Sequence, residues 1–175
     1  LIMEIRVPTE IDDVTLEQYQ KYAVAAKDNS DEEFLLHKTI SAFCEIDMKT
    51  ASQFPLKDAE DIATEIHNVL NTEIPFTNRF ELNGVNYGFI PNLEDLTLGE
   101  YIDLENALKD VKELHKAAAV MFRPITREYK HLYDIEAYSG SKDLIEIMKD
   151  APLGVISAAV VFFYRLGNEL LMASL

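Results

Sequence analysis

The sequence predicts an α+β fold that is predominantly α-helical, with about five or six helices and one β-hairpin over residues 80–90. Three observations carry this. Thr15, Ser30 and Thr97 each precede a run of helical apolar spacing and are followed three positions later by Gln or Glu, the pattern of a capping box. Asn83-Gly84 stands between two alternating apolar runs, and a two-residue type I′ turn needs the positive φ that Asn and Gly tolerate best. The run Ala151–Tyr164 is nearly apolar, with Pro152 placed for the first turn of a helix.

Taken in order, Met3, Ile5 and Val7 alternate, so residues 2–7 are a candidate strand that Pro8 ends. It can join the hairpin as the third strand of a sheet. Thr15 and Gln18 open the first helix, with Val14 and Tyr19 as the hydrophobic staple. Leu16, Tyr19, Ala23 and Ala26 keep helical spacing until Asp28-Asn29. Ser30 and Glu33 open a second helix to about Phe43, with Leu36, Ile40 and Phe43 facing the core. Residues 47–55 are a loop with room for one helical turn. Residues 57–71 form a third helix, with Ala59, Ile62, Ile66, Val69 and Leu70 on one face.

In the hairpin Leu82 faces Val85 and Phe80 faces Tyr87, which puts Phe80, Leu82, Val85, Tyr87 and Phe89 on one apolar face. Glu81, Asn86 and Gly88 take the other. A lone hairpin is marginal in water, so the apolar face must pack on something. Thr97 and Glu100, with Leu96 and Tyr101 as staple, then open a long helix from Leu98 to about Phe122. Pro124 stops it by disfavouring helical backbone at Arg123. Lys109, Lys112 and Lys116 form a stripe near its C-terminal end, where cations suit the helix dipole. Tyr129–Tyr138 is an edge strand or an extended arm, ended by Gly140. A short helix over 142–149 precedes a last helix over about 152–173, apolar nearly all round from Val155 to Phe163 and so destined for the core or a subunit contact.

A chain of 175 residues that is 48% hydrophobic is read as one domain spanning 1–175. Two pairs of segments match in the same order: DDVTLEQYQKY with EDLTLGEYIDL, and LHKTISAFCEI with LHKAAAVMFRPI. They suggest an internal duplication of about 12–46 and 94–125. The net charge of −15 disfavours direct nucleic-acid binding and suits either solubility or a basic partner. Fourteen apolar residues are too few for a membrane span, which takes about twenty. The opening LIMEIRVPTE lacks the basic-then-apolar pattern of a secretory signal.

The search for chemistry assigns no residue. His37, His67, His115 and His131 form no His-x-x-x-His pair and none stands beside the single Cys44 at a zinc spacing. Cys44, next to Phe43, reads as a small buried hydrophobe. The six glycines are scattered singly, so no phosphate loop exists. Asp12-Asp13, Asp31-Glu32-Glu33 and Glu60-Asp61 lack calcium-loop spacing and suit helix starts. No catalytic, cofactor-binding or metal-ligating residue is named, and no cofactor is expected.

YGFIPNLEDLTLGEYIDLE (87–105) followed by LHKAAAVMFRPIT (114–126), with the opening VPTEIDDVTLEQYQKY and the ending FFYRLGNELL, resembles an uncharacterised family of morphogenesis proteins of tailed bacteriophages, the crAss-like phages and their relatives. The resemblance covers most of the chain and brings no catalytic residues. It implies a non-enzymatic virion structural or accessory protein of capsid, neck or tail, assembled in the host cytoplasm. Such a protein contacts other phage structural proteins in multiple copies, without nucleic acid, membrane or small-molecule substrate. A tail assembly chaperone missing from the mature particle is the alternative; a soluble host-type adaptor or small enzyme is the second. Contacts of this kind rest on a few buried aromatics, with Tyr133 and Tyr138 as the expected anchors.

Overall fold

The computed structural model describes residues 3–173, with side chains for all but 168 and 170–173. Four helices come first: α1 (Leu16–Ala26), α2 (Glu32–Cys44), α3 (Met48–Ala51) and α4 (Leu56–Leu70). A hairpin of β1 (Arg79–Leu82) and β2 (Val85–Phe89) follows, then α5 (Leu98–Leu108) and α6 (Leu114–Met121). A second hairpin, β3 (Phe122–Tyr129) and β4 (Leu132–Ile135), leads to α7 (Lys142–Ile147) and α8 (Leu153–Ala173). The described residues thus form eight helices and a four-stranded antiparallel sheet in the order β1-β2-β3-β4.

The local signals set most of these elements. At α1 the Thr15 amide donates to Gln18 Oε1 (2.9 Å) and the Gln18 amide to Thr15 Oγ1 (3.2 Å), a reciprocal capping box. Asp28, at φ +59°, ends the turn after it. At α2 the cap is Asp31 rather than Ser30: its Oδ1 accepts from the Glu33 and Phe34 amides. A carboxylate satisfies both amides and also suits the positive end of the helix dipole, which a hydroxyl does less well. Asp47 caps the single turn of α3. Asn83 (φ +52°) and Gly84 (φ +79°) close the first hairpin, with Leu82 opposite Val85 and Phe80 opposite Tyr87.

Three expectations fail. Residues 3–10 form no strand, because β3 pairs along the free edge of β2. Ile5 and Val7 instead pack on the core as an extended segment. There is no single helix over 98–122. It breaks after Leu108, where Asp110 leaves helical geometry (φ −135°, ψ 124°) and its carboxylate takes the Lys112 amide at 2.9 Å. Such a local side-chain bond offers the backbone an alternative to the helix. One turn of 3₁₀ helix follows, and α6 packs against α5; Lys109, Lys112 and Lys116 therefore do not share one helical stripe. Finally, the sheet has two hairpins, because Tyr129–Tyr138 supplies an edge strand. Lys130 at φ +57° turns it, a position that no Gly or Asn announces.

Two features bind the layers together. The chain's early and late parts meet where the Leu16 amide donates to the Ala151 carbonyl and the Leu153 amide to the Val14 carbonyl, both at 2.9 Å. Asp12 Oδ1 also accepts from the Val155 amide (3.2 Å), so a residue from the start of the chain caps α8. An aromatic series joins sheet to helix: Tyr87 stacks on Phe80, Phe80 and Phe89 meet Phe122 edge-on, and Phe162 of α8 stacks parallel on Phe76 while both meet Phe89 edge-on. The helix starts at Thr15 and Thr97 share a preceding 3₁₀ turn and a capping box, yet Leu16 is fully buried while Leu98 is 73% exposed.

On the other face of β2, Gly88 leaves room for the Tyr133 ring: a Cβ there would lie 2.5 Å from Tyr133 Cε2. The Tyr133 hydroxyl in turn donates to the Phe89 carbonyl at 2.6 Å. Gly88→Ala is therefore expected to lower stability by about 1–3 kcal/mol, the range for overpacking. Chemical denaturation would check this. Adding Tyr133→Ala should recover part of the loss, because the two residues are in direct contact.

Candidate functional site

The residues that chemistry first suggests are dispersed. His37 is half-buried in α2, His67 is exposed on α4 and His131 is exposed in the turn between β3 and β4. Cys44 is buried, and burial pushes its thiol up to about 11, away from the thiolate that a nucleophile needs. Asp12 and Asp31 act as caps, whereas Glu60-Asp61 lies inside α4. Among the described residues, no group of three or more His, Cys, Asp or Glu is placed to hold a metal ion, and no helix is long and apolar enough to cross a membrane.

His115 is the one buried histidine among the described residues. Gln20 Nε2 lies 3.0 Å from its Nδ1 and 2.8 Å from the Val111 carbonyl. The amide nitrogen only donates, so Nδ1 holds a lone pair and the ring is neutral. Burial, with the nearby Lys149 and Lys116 charges, holds the imidazole below its ordinary value, against Glu113 and Glu146.

A cleft of about 940 Å³ with several charged side chains in its wall opens between α5–α6 and the segment 136–147. Its wall contains Arg123, buried at the start of β3 and bound to Glu100 Oε1 at 2.5 Å. The other Glu100 oxygen takes the Thr97 amide and hydroxyl, both at 2.8 Å. Burial raises the Glu100 carboxyl, but the Thr97 amide, the Arg123 guanidinium and the Thr97 hydroxyl outweigh it and hold the group below the usual carboxylate range. The Tyr138 ring lies over the guanidinium, 5.6 Å away, while its hydroxyl binds Asp103 of α5. Burial and Asp103 push that hydroxyl up to about 12. The pair Glu100–Arg123 is thus neutral overall and used for position. The sequence reading used Glu100 as a cap and missed its second partner. The available signal was a lone cation directly after the apolar run AAAVMF, which demands a buried acid.

A second groove of about 540 Å³ lies between the sheet and α8, where Phe76, Phe89 and Phe162 line it alongside Asn78, Glu94 and His131. Leu132 on β4 is 64% exposed at its rim. Tyr133 and Tyr138 are half-buried, with hydroxyls on the Phe89 carbonyl and the Asp103 carboxylate. Exposed apolar side chains occur on several elements: Leu98, Tyr101 and Ile102 on α5, Tyr129 and Leu132 on the second hairpin, and Val161 and Tyr164 on α8. Comparisons with protein-family models, with curated proteins and with solved structures found no match.

Two outcomes test this geometry. Glu100→Ala leaves a buried guanidinium unpaired and should cost about 3–5 kcal/mol. Gln18→Ala, at the equivalent position of the other box, should cost about 1 kcal/mol or less; equal losses in urea unfolding would contradict the dual role of Glu100. For His115 the unfolded chain binds the proton more tightly. Unfolding free energy should therefore fall as pH drops from about 6.5 towards 5.5, and the fall should be smaller in His115→Gln.

Proposed function

We propose that the protein acts by protein–protein contact, as a non-enzymatic structural or accessory component of a bacteriophage virion, in capsid, neck or tail. It meets other phage structural proteins in multiple copies, and assembly takes place in the host cytoplasm. The observation that carries the contact role is the set of exposed apolar side chains, Leu98, Tyr101 and Ile102 on α5 and Val161 and Tyr164 on α8, together with the groove that Leu132 and Phe162 border. Clustered exposed apolar residues of this kind favour interaction surfaces. The segments 87–105 and 114–126, which resemble tailed-phage morphogenesis proteins, supply the virion setting. They also build α5, α6 and the start of β3.

A tail assembly chaperone is the second reading. The net charge of −15 favours it, since an acidic body beside an aromatic-lined groove can keep an aggregation-prone client in solution. Mass spectrometry of intact particles from the source phage separates the two. Stoichiometric recovery is the expected result. Absence from particles with abundance in infected-cell lysate would overturn the structural role in favour of the chaperone.

A further inference from the structure

We infer that the N-terminal end of α5, residues 92–102, is the docking site for an extended segment of another protein, one that runs small–Pro–apolar into the first turn of a helix. The inference rests on the contact reading of the exposed α5 side chains and names what they take.

The chain already holds such a segment, at the corresponding end of α1. There the 3₁₀ turn Ile11–Asp13, then Val14 and the Thr15 capping box, lead into a helix of 11 residues. At α5 the 3₁₀ turn Leu93–Asp95, then Leu96 and the Thr97 capping box, lead into a helix of 11 residues at the same spacing. The backbones agree: Thr15 has φ −82° and ψ 156°, Thr97 φ −74° and ψ 159°. At α1 the segment Ala151–Val155 lies across this end. Thr15 and Pro152 form an antiparallel bridge, in which the Leu16 amide donates to the Ala151 carbonyl and the Leu153 amide to the Val14 carbonyl. Those bonds flank Pro152, a position that needs no amide hydrogen. Asp12 then caps the arriving helix at the Val155 amide, and Gly154 passes so near that a Cβ would lie 2.5 Å from Asp12 Oδ1. Under this cover Leu16 and Val14 are 0% and 1% exposed.

Each of these groups has a counterpart at α5, without the covering segment. Leu98 stands where Leu16 does and is 73% exposed. Among the described residues, the Leu98 amide and the Leu96 carbonyl have no backbone hydrogen-bond partner. Tyr101 and Ile102, both exposed, lie about 60° to one side of Leu98 and about 40° to the other, so the three share one apolar face. Between them a Cβ on Gly99 would meet nothing within 4 Å. Glu94 takes the place of Asp12, exposed and with a longer side chain. A helix N-terminus carries about half a positive charge, so the Glu94 and Asp95 carboxylates complement it. The end of α5 thus presents two backbone groups, an apolar face and a carboxylate in the order that holds Ala151–Val155 at α1. A second copy cannot supply the segment, because its own Ala151–Val155 is held at its own α1. A different chain with the same pattern can.

The probe is a synthetic peptide, DAPLGV as in residues 150–155 followed by a helical tail of alanine and lysine. It is titrated to about 1 mM into the isotope-labelled full chain and read by amide NMR shifts. Saturable shifts at residues 93–102 are expected. Leu98→Asp, with far-UV circular dichroism to confirm folding, should abolish them. Replacing the peptide's leucine by aspartate should do the same and leaves the protein untouched. Glu94→Gln should weaken binding about threefold. The proposal is overturned by an absence of shifts at 93–102, by equal binding of a peptide with DAPLGV scrambled, or by binding that survives both aspartate replacements. Such a failure leaves the virion reading standing, since recovery from particles does not depend on this site. Absence from particles, with peptide binding intact, would do the reverse.

Discussion

The run Ala117–Arg123 is buried along its whole length, and the chain passes from helix to strand inside it. Much of the fold follows from that. Three alanines and the side chains of Val120 and Met121 let α5 and α1 approach α6 closely. Phe122 then enters the sheet beside Phe89 and meets the aromatic series of the first hairpin. The next residue is an arginine, which cannot be left buried alone. Glu100 supplies its counter-charge, and because Glu100 is also held by the Thr97 cap, the first turn of α5 is tied to the first residues of β3. A buried ion pair adds little net stability over apolar packing. Its effect here is on position, since only one placement of α5 satisfies both oxygens.

The second constraint is the junction of residues 11–16 with 151–156. Two backbone hydrogen bonds and the Asp12 cap fix where α8 begins, and Gly154 allows the close approach. Phe162 then stacks on Phe76 about two turns further along. Around Phe162 the helix has two sides: Phe162 and Phe163 pack on the core, while Val161, Tyr164 and Arg165 face solvent. Changes at Val161 or Tyr164 touch solvent, whereas changes at Val155 or Ile156 touch the core.

The cleft and the groove both mix apolar and polar side chains. Around the cleft, Arg123 pairs with Glu100, Tyr138 with Asp103 and Lys116 with Glu113, so these charges serve the chain's own geometry. The groove and the outer helix hold side chains whose exposure costs free energy in water, about 25 cal/mol per Å² of apolar area. The site was only partly legible beforehand. The apolar run of the last helix was visible as periodicity without a polar face, but nothing in it marked Val161 and Tyr164 as exposed beside the half-buried Phe162 and Phe163. Tyr133 and Tyr138 stand in a segment that reads as an edge strand or an extended arm. Their hydroxyls reach Phe89 and Asp103, 44 and 35 residues away.

By itself the sequence determined what is decided within a few residues: the Thr15 and Thr97 capping boxes, the Asn83-Gly84 turn and its register, and the short and last helices. These depend on backbone groups and side chains that lie near each other in any conformation, so local chemistry suffices. Tertiary structure alone decided which edge of β2 was filled, that Glu100 out of 31 acids pairs with Arg123, and which side of α8 faces solvent around Phe162. The break at Asp110 lies between the two cases. Its side chain offers the alternative bond locally, but the packing of α6 on α5 makes the broken form the stable one. Pairings over long separations are chosen by burial and charge compensation, which no local pattern records.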